Sequence, residues 1–154
     1  MMSVKIGDII EIKTTLGNSY AQYTHRSSRY GALIRVFKKV YRERPETINS
    51  IPDDNLRFST FFPLKAAVEN KIVEVIGNKS VSVELSEFPM FRAGVVDPST
   101  GKVASWWLWD GESEEQVGRL TEEQMHYPIR GVWNDTLLIE RIESNWTPYT
   151  DPSN

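Results

Sequence analysis

Residues 103–111 read VASWWLWDG and place three of the five tryptophans of the chain within four positions. Side chains alternate between the two faces of a β-strand, so Trp106 lies on one face and both Trp107 and Trp109 lie on the other. A strand that is apolar on both faces is typical of a central strand with cover on both sides. We therefore expect Trp106 and Trp107 in the core. Trp109, at the end of the strand, is the tryptophan expected to reach a partner.

Two turn sequences predict β-hairpins, one of which contains this strand. An extended run at 9–15 and another from Ser19 flank the turn residues Leu-Gly-Asn at 16–18. Runs at 91–96 and 102–109 flank the turn sequence DPSTG. Further strands are predicted from the apolar and β-branched runs at 29–37, 57–64, 72–76 and 137–142.

Helical signals in the sequence are short. Residues 65–70 are compatible with a helix, and Thr121 with Gln124 forms a capping-box pattern that Pro128 soon interrupts. Many short strands with one or two short helices predict an α+β fold, mostly of antiparallel β-sheet. The sequence does not decide whether that sheet is strongly curved or barrel-like.

The length and composition of the chain set its class. A chain of 154 residues with 40 % apolar and 25 % charged residues is typical of one folded domain. We place a single α+β domain at 1–146 and expect a polar C-terminal tail, 147–154, that frays. The N-terminus has no signal-peptide pattern and no apolar run is long enough for a membrane span, so a cytoplasmic location without membrane contact is expected.

Residue types that carry chemistry are sparse. The chain has no cysteine, which excludes disulfides and thiolate chemistry. His25 and His126 lack metal-site spacing, and the sequence contains no nucleophile elbow, dinucleotide fingerprint or P-loop. We therefore expect no metal, no cofactor and no catalytic residue.

Charge is distributed unevenly along the chain, although the formal net charge is only −3. Segment 26–44 holds seven basic residues against one acidic residue, and segment 110–123 holds six acidic residues against one arginine. The two segments could be solvated surfaces that face each other, or patches that meet charged partners. For a partner, the candidate residues are Trp109, Asp110, Glu112, Glu114 and Glu115.

Four short motifs carry a resemblance to a known family. They are GDIIEIKT at 7–14, KIVEVIGN at 71–78, FPMF at 88–91 and WWLWDGE at 106–112. Over about residues 5–115 the pattern resembles the type 26 immunity-protein family of bacterial polymorphic-toxin systems. The resemblance implies a small cytoplasmic protein that binds a cognate toxin and blocks it without catalysis. It implies turn and packing roles, not chemistry, for Gly7, Asp8, Ile76, Gly77 and Pro89.

These observations lead to three hypotheses about function. The leading one is a non-enzymatic binding protein, an immunity protein whose partner is a toxin. The runner-up is an SH3-like or other binding module that contacts nucleic acid or peptide through the basic segment 26–44, although that segment lacks the aromatic interleaving typical of nucleic-acid modules. The third is a small hydrolase-like enzyme. The oligomeric state stays open.

Overall fold

The computed structural model describes residues 3–154, which form eight antiparallel strands in two sheets and three short α-helices. The strands are β1 Asp8–Thr14, β2 Gly17–Ser27, β3 Gly31–Phe37, β4 Leu56–Phe62, β5 Glu74–Asn78, β6 Phe91–Ala93, β7 Trp106–Trp109 and β8 Glu114–Gly118. The helices are α1 Leu64–Glu69, α2 Val83–Ser86 and α3 Asp135–Glu143. Single 3₁₀ turns lie at Ile48–Ser50, Gln124–His126 and Pro148–Thr150.

The strand order explains how the chain makes one continuous structure from two sheets. The first sheet has the order β4-β3-β2-β1-β5 and the second has the order β6-β7-β8. Segment 129–132 lies between them: Val132 pairs in parallel with Phe61 of β4, and Ile129 pairs in parallel with Arg92 of β6. The predicted α+β class is confirmed, and the sheets remain open, so the barrel-like alternative is wrong.

The five-stranded sheet is covered on both faces, as the alternation in β1 dictates. Ile10 and Ile12 face α1 and α3 in one cluster, whereas Ile9 faces the 3₁₀ turn at Ile48–Ser50 and α2 in another. A third cluster, mostly aromatic, lies where the two sheets meet. Both faces of β1 are therefore buried over residues 8–12, and its three isoleucines divide between the two faces.

The β1–β2 hairpin forms where the turn residues predicted it, with Thr14 opposite Gly17. Gly17 has φ +130°, and a Cβ there would lie 2.5 Å from the carbonyl oxygen of Tyr41. Only glycine fits both requirements. At the start of β1, Asp8 accepts from the backbone of Lys5 at 2.9 Å, which is the local role that was expected of it.

The predicted last strand at 137–142 is wrong, because this run forms helix α3. Asn134 caps the helix, its side chain accepting from the backbone N–H of Leu137 at 2.8 Å. Leu138 and Ile142, four residues apart, are both fully buried, which is helical spacing. The pair Asn-Asp at 134–135 therefore starts a helix and does not close a turn.

The expected fraying of tail 147–154 is also wrong. Its residues contain the 3₁₀ turn Pro148–Thr150, and the side chain of Ser153 is nearly inaccessible. The fully buried guanidinium of Arg92 donates to the carbonyl oxygen of Pro148 and to Oδ1 of Asn154. The polar sequence of the tail provides acceptors for this cation, which no local pattern indicates.

A buried carboxylate in β1 makes stability depend on acid. Glu11 accepts from Arg44 at 2.8 and 3.0 Å and from the hydroxyl of Tyr20 at 2.8 Å. The hydrogen bonds from Arg44 hold the pKa of Glu11 below its usual value, with burial opposing them and Tyr20 assisting. A carboxyl whose pKa is lowered by folding adds stability above its unfolded pKa and loses it as the pH falls through the folded pKa.

We therefore expect Glu11→Gln to make the unfolding free energy less sensitive to pH in the acid range. Because Arg44 is about half exposed, the parent should lose only about 1 kcal/mol more unfolding free energy than the variant between about pH 6 and pH 3. Urea unfolding at a series of pH values measures this difference. Parallel profiles for the two proteins would show that Glu11 does not contribute to the acid sensitivity.

Candidate partner-binding surface

Strand β7 is the element that positions the candidate residues, and its two faces are covered differently. Trp106 is buried at 5 % exposure beside Arg92, whose guanidinium lies 4.6 Å from the ring centroid. Trp109 faces the other way and packs in the aromatic cluster. The prediction that Trp106 lies in the core is confirmed, and β7 is central to its sheet as expected.

Trp109 is not available to a partner, which corrects its predicted role. It is only 6 % exposed and lies 5.2–6.1 Å, between ring centroids, from four aromatic rings. These rings belong to Tyr30, Phe61, Phe88 and Phe91. The junction between the two sheets covers this end of β7, so Trp109 has a packing role.

Trp107 is the exposed tryptophan of the strand, contrary to the prediction that it lies in the core. Its side chain is 37 % exposed. It pairs with Ala93, the last residue of β6, so the neighbouring strand ends beside it. Beyond this pair, Val95 and Val96 are also exposed, at 87 % and 48 %. Alternation alone does not indicate this exposure, because adjacent Ile9 and Ile10 are both fully buried in a sheet that is covered on both faces.

The acidic residues follow β7 in a well-defined turn. Oδ1 of Asp110 accepts from the backbone N–H groups of Glu112 and Ser113 at 2.9 and 2.8 Å. These bonds keep the pKa of the exposed Asp110 carboxyl below its usual value. Asp110 therefore shapes the turn, and its charge remains at the surface near that of Glu112.

Strand β8 presents the next two carboxylates on an exposed edge. Glu114 forms an ion pair with Arg130 at 3.1 Å, and the guanidinium of Arg130 lies 5.3 Å from the ring centroid of Trp109. Glu112 and Glu115 are exposed and form no ion pair within residues 3–154. The turn and β8 together present four carboxylates, with Arg130 paired to Glu114 and Arg26 beside the turn.

One open groove joins this acidic edge to the apolar residues. It has a volume of about 500 Å³, and its lining includes Val95, Trp107, Glu114 and Arg130. We call the acidic turn, β8 and this groove the acidic surface. Sequence reasoning located its carboxylates, but it missed Val95, Trp107 and Arg130, of which the last comes from the segment that joins the sheets.

The basic segment 26–44 does not form one patch. Arg35 is buried, donating to Thr24 and to the carbonyl oxygen of Glu87, and its burial lowers its pKa to about 10. Arg44 pairs with Glu11, as described above. Arg26 shares a cleft of about 500 Å³ with Asp110 and Glu112, so the basic and acidic segments do approach each other at one place.

Both histidines have local structural contacts. His25 lies between Oγ1 of Thr24 and the carbonyl oxygen of Ser86, each at 2.9 Å, and burial lowers its pKa. His126 stacks on Tyr149 with 4.5 Å between ring centroids. No group of three or more potential His, Cys, Asp or Glu ligands is arranged for a metal ion in the described part of the chain. Nor is any helix there long and apolar enough to cross a bilayer.

Comparison with protein-family models, with curated proteins and with solved structures finds no match for this chain.

Proposed function

We propose that this protein is a non-enzymatic binding protein, an immunity protein that neutralises a cognate bacterial toxin by covering a basic surface on it. The observation that carries the proposal is the acidic surface, where carboxylates lie beside an exposed tryptophan on a rigid strand. The resemblance of four sequence motifs to the type 26 immunity-protein family supports the same assignment.

The rigidity of the acidic surface favours a binding role. Strand β8 pairs with β7 from Glu114 to Gly118, and β7 is anchored by buried tryptophans on both faces. Charges presented by a rigid element lose little conformational entropy on binding, which raises affinity without new contacts.

The composition of the acidic surface also fits an interface. Interfaces combine an apolar or aromatic centre with a polar rim. Trp107 and Val95 supply the apolar centre here, and Glu114 lines the same groove. Glu112 lies in the adjoining turn, and Glu115 extends the exposed charge to the other face of β8. A toxin that acts on nucleic acid is expected to carry a basic active surface, and carboxylates would both attract and cover it.

Charge reversal at three glutamates tests this proposal. We expect Glu112→Lys, Glu114→Lys and Glu115→Lys together to slow association with the cognate toxin by about tenfold or more at low salt, because rim charges mainly change association rates. Stability should change little, since these side chains are exposed. Stopped-flow or surface-plasmon-resonance measurements at two salt concentrations provide the rates.

A control variant with the same change in net charge tests whether the position of the reversed glutamates matters. Reversal of three exposed glutamates elsewhere, Glu43, Glu46 and Glu84, makes the same change in total charge and should leave association within about twofold of the parent. If the variant of the acidic surface binds and protects cells as the parent does, that surface is not the interface. If the parent protects cells from no toxin encoded in its gene neighbourhood, the immunity function is wrong.

A further inference from the structure

A second groove differs from the groove at Trp107 in that basic side chains outnumber acidic ones in its lining. It has a volume of about 620 Å³, within the range of about 300–1,000 Å³ that ligand sites occupy. Arg26, Arg29 and Lys65 line it, with Glu69 as the only acidic side chain in the lining. We call it the basic groove.

The three cations of the basic groove lie near other groups without pairing with a carboxylate: Arg29 lies over the Tyr30 ring, and Arg26 also lines the cleft that contains Asp110 and Glu112. All three are exposed, and none forms an ion pair or a side-chain hydrogen bond within residues 3–154. By contrast, Arg44 and Arg130 each pair with a carboxylate, and Arg35 is buried. The groove therefore concentrates cations that folding has not neutralised, which favours an anionic occupant.

Apolar side chains supply the second half of the site. Val132 is 53 % exposed and lines the groove, and the buried residues Ala32, Phe62 and Leu64 line it too. Val132 comes from the segment that joins the two sheets, and Lys65 comes from α1. The groove is therefore a tertiary feature that combines basic side chains with an apolar wall.

The state of Tyr30 decides between two kinds of anionic partner. Binding of single-stranded nucleic acid relies on exposed aromatic rings that stack on bases. Tyr30 also lines the groove, but other groups already surround its ring. The ring centroid lies 5.3 Å from that of Phe61, 5.2 Å from that of Trp109 and 5.4 Å from the guanidinium of Arg29. No ring is left for a base, whereas a peptide with acidic and apolar side chains matches both the cations and Val132.

We propose that the basic groove binds an acidic peptide segment of a partner protein, with carboxylates at Arg26, Arg29 and Lys65 and an apolar side chain against Val132. This site adjoins the acidic surface at Arg26, which also lines a cleft with Asp110 and Glu112, but it does not depend on the immunity function. The basic groove contains only part of the predicted basic segment. Two of the seven basic residues of segment 26–44 line the groove, and Lys65 is added from α1.

A labelled peptide of alternating glutamate and leucine tests the proposal by fluorescence anisotropy, with a glutamine–leucine peptide as the uncharged probe. We expect the acidic peptide to bind, and the combined variant Arg26→Gln, Arg29→Gln and Lys65→Gln to weaken it by about tenfold. A control variant, Lys13→Gln, Lys38→Gln and Arg42→Gln, removes the same charge from exposed positions outside the groove. It should stay within about twofold of the parent.

Three outcomes would overturn the assignment. Equal losses in the two variants would show that only net charge matters. Absence of saturable binding by the parent at about 1 mM peptide would exclude a site of useful affinity. Tighter binding of a single-stranded oligonucleotide than of the acidic peptide, lost in the groove variant, would assign the groove to nucleic acid. The toxin measurements test the acidic surface separately, with a different partner and with variants that leave Arg26, Arg29 and Lys65 unchanged.

Discussion

An Arg92→Leu variant should lose about 3–5 kcal/mol of unfolding free energy, because it leaves several buried carbonyl groups without a donor. Arg92 is fully buried, and its guanidinium donates to the carbonyl oxygens of Met125, Tyr127 and Pro148 as well as to Asn154. Burial lowers its pKa to about 10, so the group is still protonated at neutral pH. It holds the C-terminal residues against the second sheet.

Chemical denaturation measures this loss, and two further variants show its origin. Arg92→Lys keeps the charge but cannot reach all four acceptors, so an intermediate loss is expected. Arg42 is exposed, and Arg42→Leu should change stability by no more than about 0.5 kcal/mol. Limited proteolysis should cut the 147–154 segment first in Arg92→Leu. A variant as stable as the parent would mean that the tail contacts contribute nothing.

Trp109→Ala should have a comparable effect, a loss of about 3–5 kcal/mol from an unfilled cavity in the aromatic cluster. The ring packs against four other aromatic rings and carries the guanidinium of Arg130. Its removal therefore weakens the junction between the two sheets. Thermal and urea unfolding should show the loss as a lower midpoint.

Trp107→Ala is the natural control for this variant, since it removes the same side chain two positions away. Trp107 is 37 % exposed, against 6 % for Trp109. We expect a stability loss of only about 1 kcal/mol, because less apolar area is returned to water. Toxin binding should weaken in this variant while folding persists. If Trp107→Ala is the more destabilised of the two, the assignment of core and surface tryptophans is reversed.

Much of the fold follows from local patterns. The hairpin at 14–17 needs a glycine with positive φ, and Gly17 has it. The capping-box pattern at Thr121 and Gln124 forms as predicted, with both hydrogen bonds present, although it leads only into a 3₁₀ turn. These features depend on contacts between residues close in sequence, so their residue types are sufficient evidence.

The prediction of α3 as a strand shows where local patterns are ambiguous. The run Leu-Leu-Ile at 137–139 is apolar at every position, which a short strand and a buried helix segment share. The N-cap at Asn134 and the spacing of Leu138 and Ile142 favour the helix. The helix face that contains Leu138 and Ile142 packs on the first sheet, and this packing stabilises the helix over a strand.

The candidate surface was predictable in its charges but not in its apolar centre. Exposed carboxylates can be read from their position after a strand, because ionised groups rarely enter a core without a partner. Alternation along β7 correctly separates Trp106 from Trp107 and Trp109. It does not state which end of a shared face is covered, and that depends on where β6 ends and where the first sheet meets the second.

By itself the sequence determined the fold class, the antiparallel hairpins, the buried position of Trp106 and the presence of two oppositely charged segments, because each depends on residue type and short-range spacing. Tertiary structure alone decided that Arg35 and Arg92 are buried, that Lys65 and Val132 join Arg26 and Arg29, and that Trp107 is exposed instead of Trp109. Each of these requires contact between segments distant along the chain. Arg35 with Glu87 and Arg92 with Pro148 are two such contacts, and no local pattern encodes either of them.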